Sequence, residues 1–189
     1  MSMIKNSFKH FKKICKHKYY VGKNCFHYGL YKQGITHDLS KFSPTEFFES
    51  IKYYQGDRSP IDACKEDKGY SMAWLHHKGR NKHHYEYYID NLDYGGQPLQ
   101  MPFKYALELI CDYLGAGHAY MGKNFSYIKE YEWWLNKKKL PLAMHNQTKT
   151  FIDLVLYNFA YSKDKIDKKY LYKLYEIADL MVKSSQSSS

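Results

Sequence analysis

The sequence predicts an all-α fold, a single compact domain of about seven to nine helices, on three observations. Apolar residues recur at three- and four-residue steps through most of the 189-residue chain. Nowhere do they alternate with the period of two that marks a strand. Ser, Asn and Asp start signals, with Gly and Pro between them, divide the periodic stretches at helix-sized intervals. The chain is long enough to bury a core without disulfide or metal staples. The expected domain covers residues 1–183, with a core over about 8–120, C-terminal helices over 126–183 and a polar, unstructured tail at 184–189. No internal repeat is visible.

Residues 4–28 carry one apolar stripe, Ile4, Phe8, Phe11, Cys15 and Tyr19, expected to form the core seam. His10, Ile14, His17 and Val21 make a neighbouring stripe, so His17 could point inward beside that seam; a hydrogen-bonded surface position is the simpler expectation for one histidine alone. Gly29 and Gly34 are read as closing this helix and admitting the turn to His37. Ser43, Pro44 and Glu46 form a strong start, with Ser43 as cap, Pro44 at the first helical position and Glu46 completing a capping box. That helix runs to about Tyr54. After the loop Gly56-Asp57-Arg58, Ser59-Pro60 starts a short helix ending near Gly69.

Ser71 can cap a helix through His77, which Gly79-Arg80-Asn81 breaks, and His83 is expected to begin another helix to about Ile89. Trp74, Leu75, Tyr85 and Tyr88 should anchor both flanks as buried structure. A Gly-containing loop fills 91–101, and Pro102 then opens an amphipathic helix running towards Gly115-Ala116-Gly117 or a little beyond. Asp112 lies in its middle beside Ile110 and Cys111; taken alone, an acid there belongs on the solvent face. Three more helices are expected near 126–138, 147–160 and 168–183, started by Ser126, Asn146 and Asp167.

The net charge is +10, yet only two of 29 basic residues are arginines, Arg58 and Arg80. That imbalance, with 21 tyrosines, is the mark of codon bias in an A/T-rich genome, although the charge would still favour anionic substrates. Cys15, Cys25, Cys64 and Cys111 are scattered without a CxxC pair and read as small buried hydrophobes in a reducing compartment. No apolar run approaches the roughly 20 residues of a membrane span, and the N-terminus carries Lys and His where a signal peptide would be apolar. The expectation is a cytoplasmic protein without a membrane partner.

The residues that carry chemistry concentrate between His17 and His84. His37-Asp38 offers a nitrogen and an anionic oxygen on one short piece of backbone, a mixture suited to Fe, Mn, Zn or Co. Four histidines, His76, His77, His83 and His84, fall within nine residues, and two pairs flanking one loop can converge on a point. With His17 before them and Asp112 after, the candidates come from at least four helices, as a site inside a helical bundle requires. They suffice for one or two divalent ions.

In the order His…His-Asp…His…Asp, with the doublet continuing Leu39-Ser40-Lys41, the chain resembles the HD-domain superfamily of metal-dependent phosphohydrolases over about residues 8–120. The resemblance implies His17 as first histidine, with His27 as the alternative, His37-Asp38 as the signature and Asp112 as the final aspartate. The extra histidines resemble the branch that holds a second metal, whose later glycine-tyrosine-proline signature is absent here. Residues 17–124 also resemble an uncharacterised bacterial and phage family through HDLSKFSPTEF and AWLHHKGRNKHHYEYY.

The reaction expected is hydrolysis of a small phosphorylated compound, a nucleotide in the favoured form, by metal-activated water. Asp38 would be the bridging or central ligand and Lys41 would hold phosphate. Arg80, with Lys82 in the same loop, is a candidate for bidentate phosphate binding, and Arg58 a weaker one. Tyr28, Tyr85 and Tyr88 fit core packing better than base stacking. Two other readings stay open: an HD-type di-iron oxygenase, and a basic helical module binding nucleic acid or protein without catalysis. The spread of lysines along the chain speaks against the second of these.

Overall fold

A computed structural model describes residues 3–163 and 165–187, with side chains from residue 5 onward. Among the described residues 74% are helical and none forms a strand. Nine α-helices are described: α1 (Met3–His27), α2 (Tyr31–Thr36), α3 (Pro44–Lys52), α4 (Pro60–Lys68), α5 (Met72–Arg80), α6 (Phe103–Met121), α7 (Tyr127–Lys137), α8 (Asn146–Tyr161) and α9 (Lys168–Gln186). Short 3-10 turns at Leu39–Phe42, Tyr85–Tyr88, Leu92–Tyr94 and Gly122–Asn124 connect them.

Helix α6 is the axis of the molecule. Its residues are buried without interruption from Ala106 through Gly115, so α6 has no solvent face over that stretch. On one side α7, α8 and α9 close an apolar core with Trp134, Phe151, Ile152, Leu156 and Leu171. On the other, α1 crosses α6 closely. A Cβ on Gly115 would lie 2.9 Å from the backbone nitrogen of Val21, so only glycine permits this approach. The crossing has a direct consequence: His17, one turn before Val21, is brought against Asp112, one turn before Gly115. Gly115 and Gly117 stay inside α6, which ends a little beyond them at Met121.

The two stripes of α1 are reversed from expectation. Phe8, Phe11 and Tyr19 are 67%, 46% and 64% exposed and Cys15 is exposed, whereas His10, Ile14, His17, Val21 and Cys25 are buried. The face with the greater apolarity lost to one whose histidines have buried partners, a preference that periodicity alone does not encode. Of the four cysteines, Cys25, Cys64 and Cys111 are the buried ones. Gly29 has the left-handed φ of 68° expected after α1. Gly34 closes no helix; it lies within α2, where a Cβ would come 2.7 Å from the Phe26 ring and 3.1 Å from Cys25.

Ser43, Ser71, Ser126 and Asp167 cap α3, α5, α7 and α9, each accepting from the amide three residues on. The capping box at α3 is half formed: the Glu46 carboxylate turns to two histidines, and the Ser43 amide donates to the Ser40 carbonyl instead. At α8 the cap is His145, whose Nδ1 accepts from Gln147, while Asn146 is already helical. Helix α5 runs on to Arg80, and the expected helix from His83 is only the 3-10 turn Tyr85–Tyr88. Leu75 is exposed, but Tyr85 and Tyr88 do pack on the core. Helix α9 extends through Gln186 into the tail expected to be unstructured, and residues 188–189 fall outside those described. Among the described residues no helix is long and apolar enough to cross a membrane.

Candidate metal centre

Between α2 and the 3-10 turn Leu39–Phe42 the chain bends sharply inward. Asp38 takes φ 55°, ψ 23°, the sole positive φ of a non-glycine residue among those described. Left-handed backbone costs an L-residue roughly 1–2 kcal/mol, least for Asp and Asn, and the local strain aims both His37 and Asp38 into the interior, each 1% exposed.

The two oxygens of Asp38 face different partners. Oδ2 lies 3.2 Å from His17 Nε2 and 3.3 Å from His37 Nε2. Those two nitrogens are in turn 3.0 and 3.4 Å from Asp112 Oδ1. Oδ1 lies 3.2 Å from His77 Nε2 and 3.4 Å from His83 Nε2, and His77 Nε2 is 2.9 Å from His84 Nε2. Bonds of about 2.0–2.2 Å set neighbouring nitrogen and oxygen ligands roughly 3.0–3.4 Å apart around one ion. His17, His37, Asp38 and Asp112 thus have the spacing of one coordination set, and Asp38, His77, His83 and His84 that of a second. His37 Nε2, His83 Nε2 and Asp38 Oδ1 are also buried atoms without a hydrogen-bond partner. Orphans of this kind are costly unless something else binds them. The donor set and its orphaned atoms fit divalent transition metals.

Behind each set stand carboxylates that orient the rings. Glu108, 5% exposed on α6, lies 3.1 Å from His37 Nδ1 and 3.3 Å from His83 Nδ1. Glu46, from α3, lies 2.8 Å from His77 Nδ1. A ring N–H donating to a carboxylate leaves the opposite nitrogen free as a ligand and makes it more basic. Glu108 also falls with His37 and His83 in a third possible grouping, but both rings meet it through Nδ1, which gives it the orienting part. Neither acid was identified as part of the site from sequence. Glu46 was hidden in the pattern of a helix cap; Glu108 had a usable signal, its place one turn before Asp112.

Electrostatics follow from this geometry. Burial alone would raise the carboxyls of Asp38 and Asp112, yet histidines beside both, and Lys41 beside Asp38, hold them well below the usual range. For His37 burial acts downward, but Asp38, Asp112 and Glu108 carry it well above an ordinary histidine. His84 goes well down, through burial and the neighbouring His83 and His77. Trp74 packs against that side, stacked on His77 and edge-on to His84.

The remaining expected residues are divided. His76 is set apart: its Nδ1 is 2.6 Å from Glu46 Oε1 and it joins neither set. His27 is exposed at the end of α1, which leaves His17 as the first histidine. Lys41 Nζ sits 2.6 Å from Asp38 Oδ2 and lines a cavity with His17, His10 and Lys13. Arg80 and Lys82 lie elsewhere, with Lys32 and Lys104 around a cleft whose inner wall is His83 and Glu108. That cleft shares no residue with the cavity at Lys41. Arg58 pairs with Glu66 at 2.7 Å and lines a third cleft.

An all-α protein carrying a buried candidate dinuclear centre is the class this fold and site define. Within it, the chain belongs to a family of unknown function, DUF5662, whose model matches residues 6–158 and so takes in every residue of both ligand sets. Searches of curated proteins and of solved structures gave no match.

Proposed function

We propose that this chain is a metal-dependent phosphohydrolase acting on a small phosphorylated compound, with a nucleotide as the favoured substrate. One observation carries the reading: the two oxygens of Asp38 each face a separate set of ligand atoms at coordination spacing. His17, His37 and Asp112 would hold one ion with Asp38, and His77, His83 and His84 the other. Divalent ions at such positions bring water close to ionisation at neutral pH and neutralise charge on a phosphoryl oxygen.

The chain's own residues supply the rest. Lys41 presents its ammonium at the cavity beside His17, with Lys13 on the same wall, and these two would hold the phosphate. Phosphoryl transfer asks mainly for positioning and positive charge. Glu46 and Glu108 keep the histidine rings in one orientation, and Trp74 packs on His77. The three free buried cysteines suit a reducing cytoplasm.

The test is hydrolysis of a nucleotide and phosphodiester panel with Mn or Co, by wild type and by His37→Ala and Asp38→Ala. Activity in wild type and none in the variants is expected. A protein that binds no transition metal, with variants equal to wild type, would overturn the reading. Three histidines on one side of a bridging aspartate would also suit two irons. Visible absorption from a diferric centre with oxygen uptake would point to the oxygenase instead.

A further inference from the structure

Ser59 and Tyr120 line both the cavity at Lys41 and a larger cleft of about 460 Å³ between α6 and α7. The ring of Trp133, 41% exposed, and that of Tyr120, 42% exposed, line it. Tyr113 stands edge-on to Trp133 with ring centroids 4.9 Å apart. Two polar groups in this cleft lack partners. Tyr113 Oη is buried without a hydrogen bond, and Glu130, 4% exposed, makes no side-chain hydrogen bond or ion pair among the described residues. Residue 117 is glycine at the point where the Glu130 carboxyl rests on α6; a Cβ there would run into Glu130 Oε2 and lie 2.8 Å from the Phe125 ring. The carboxyl is therefore accommodated by a gap in α6 although it satisfies nothing in the protein.

We infer that this cleft binds the nucleobase of the substrate, stacked on Trp133 and Tyr120, with Glu130 and the Tyr113 hydroxyl reading its hydrogen-bonding edge. Lys137 and Lys13 lie over the Trp133 and Tyr120 rings, 5.1 and 4.5 Å from the centroids, so a base would stack on the other face of each ring, which suits any planar heterocycle. Buried, unpaired polar groups suit one with complementary donors and acceptors, because they discriminate strongly against ligands that leave them unpaired. The shared walls Ser59 and Tyr120 place the base on the same side of the protein as Lys41 and His17. Arg80 and Lys82, which open on the other cleft, would then lie away from the base. The link to a phosphate rests on the phosphohydrolase reading; the base site itself does not.

The experiment titrates unphosphorylated nucleosides (guanosine, adenosine, cytidine, uridine) into wild type, Trp133→Ala and Glu130→Gln by calorimetry, with thermal melts to confirm folding. At least one nucleoside should bind wild type, in the presence or absence of EDTA. Trp133→Ala should weaken it by about tenfold or more, and Glu130→Gln should change the order of preference among the four. In turnover, Trp133→Ala should raise KM for the nucleotide. Should Trp133→Ala fail to fold, Tyr120→Ala takes its place. No nucleoside bound by wild type, or equal binding by all folded variants, would overturn the base site even if phosphate esters are cleaved. Nucleoside binding without hydrolysis of any ester would instead sink the phosphohydrolase reading and leave the base site standing.

Discussion

The two sides of Asp38 are built from different materials. On one, His17 and Asp112 come from α1 and α6 and His37 from the turn after α2, and the side opens on a cavity with Lys41 and His10. On the other, His77, His83 and His84 come from one stretch of chain folded back on itself and packed against Trp74. The first is assembled by tertiary packing, above all the α1–α6 crossing at Gly115; the second by a local loop. Both sets reach a surface opening: the mixed set at the cavity beside Lys41, and the histidine-rich set at the basic cleft lined by His83.

Substitutions can break that comparison, beginning with the residue both sides share. Asp38→Asn keeps the left-handed backbone, which Asn tolerates, but removes the bridging charge. Activity should fall to background. Chelation of wild type with EDTA should lower the melting temperature by about 10 °C, the effect of losing ions that bind only the folded state; calorimetry checks it.

Changes to single sides come next. His17→Ala should release the ion on the open side and retain the other; His77→Ala should do the reverse. Elemental analysis separates the outcomes, and loss of both ions from either variant would show that the sets are not independent.

Smaller effects should come from the orienting acids. Glu108→Gln touches His37 and His83 and should weaken metal affinity on both sides by about 10- to 100-fold. Glu46→Gln touches only His77 among the ligands and should weaken only the second side, by a similar factor. Competition with a chromophoric chelator measures both.

A pH-dependent effect concerns His10, buried on the open side against Phe47 and Tyr54. Burial, reinforced by Lys41, lowers its pKa from 6.5 to about 4. Between those values the unfolded chain takes up a proton that the folded chain refuses. The stability linked to His10 is therefore complete above pH 6.5 and drains away as the pH falls toward 4, by about 3 kcal/mol. His10→Phe should flatten this part of the profile in urea denaturation.

How much of this was legible in the sequence differs between the two sides as well. The helices and most of their caps could be read, because Ser43, Ser71, Ser126 and Asp167 act within one turn of themselves. The second side announced itself by four histidines in nine residues, though nothing local told His77 from His76; Glu46 meets both, and only His77 sets its Nε2 against Asp38. On the open side, hydropathy alone pointed the wrong way twice. It turned the His17 face of α1 outward and set Asp112 at the solvent, whereas the two residues are buried against each other. Each looks misplaced until its partner is known, and that partner is 95 positions along the chain.

Metal stoichiometry decides whether Asp38 joins two ligand sets. Protein purified without an affinity tag should carry two transition-metal ions per chain, and His77→Ala one. Wild type with one ion or none, or a His77→Ala variant equal to it, would contradict the account.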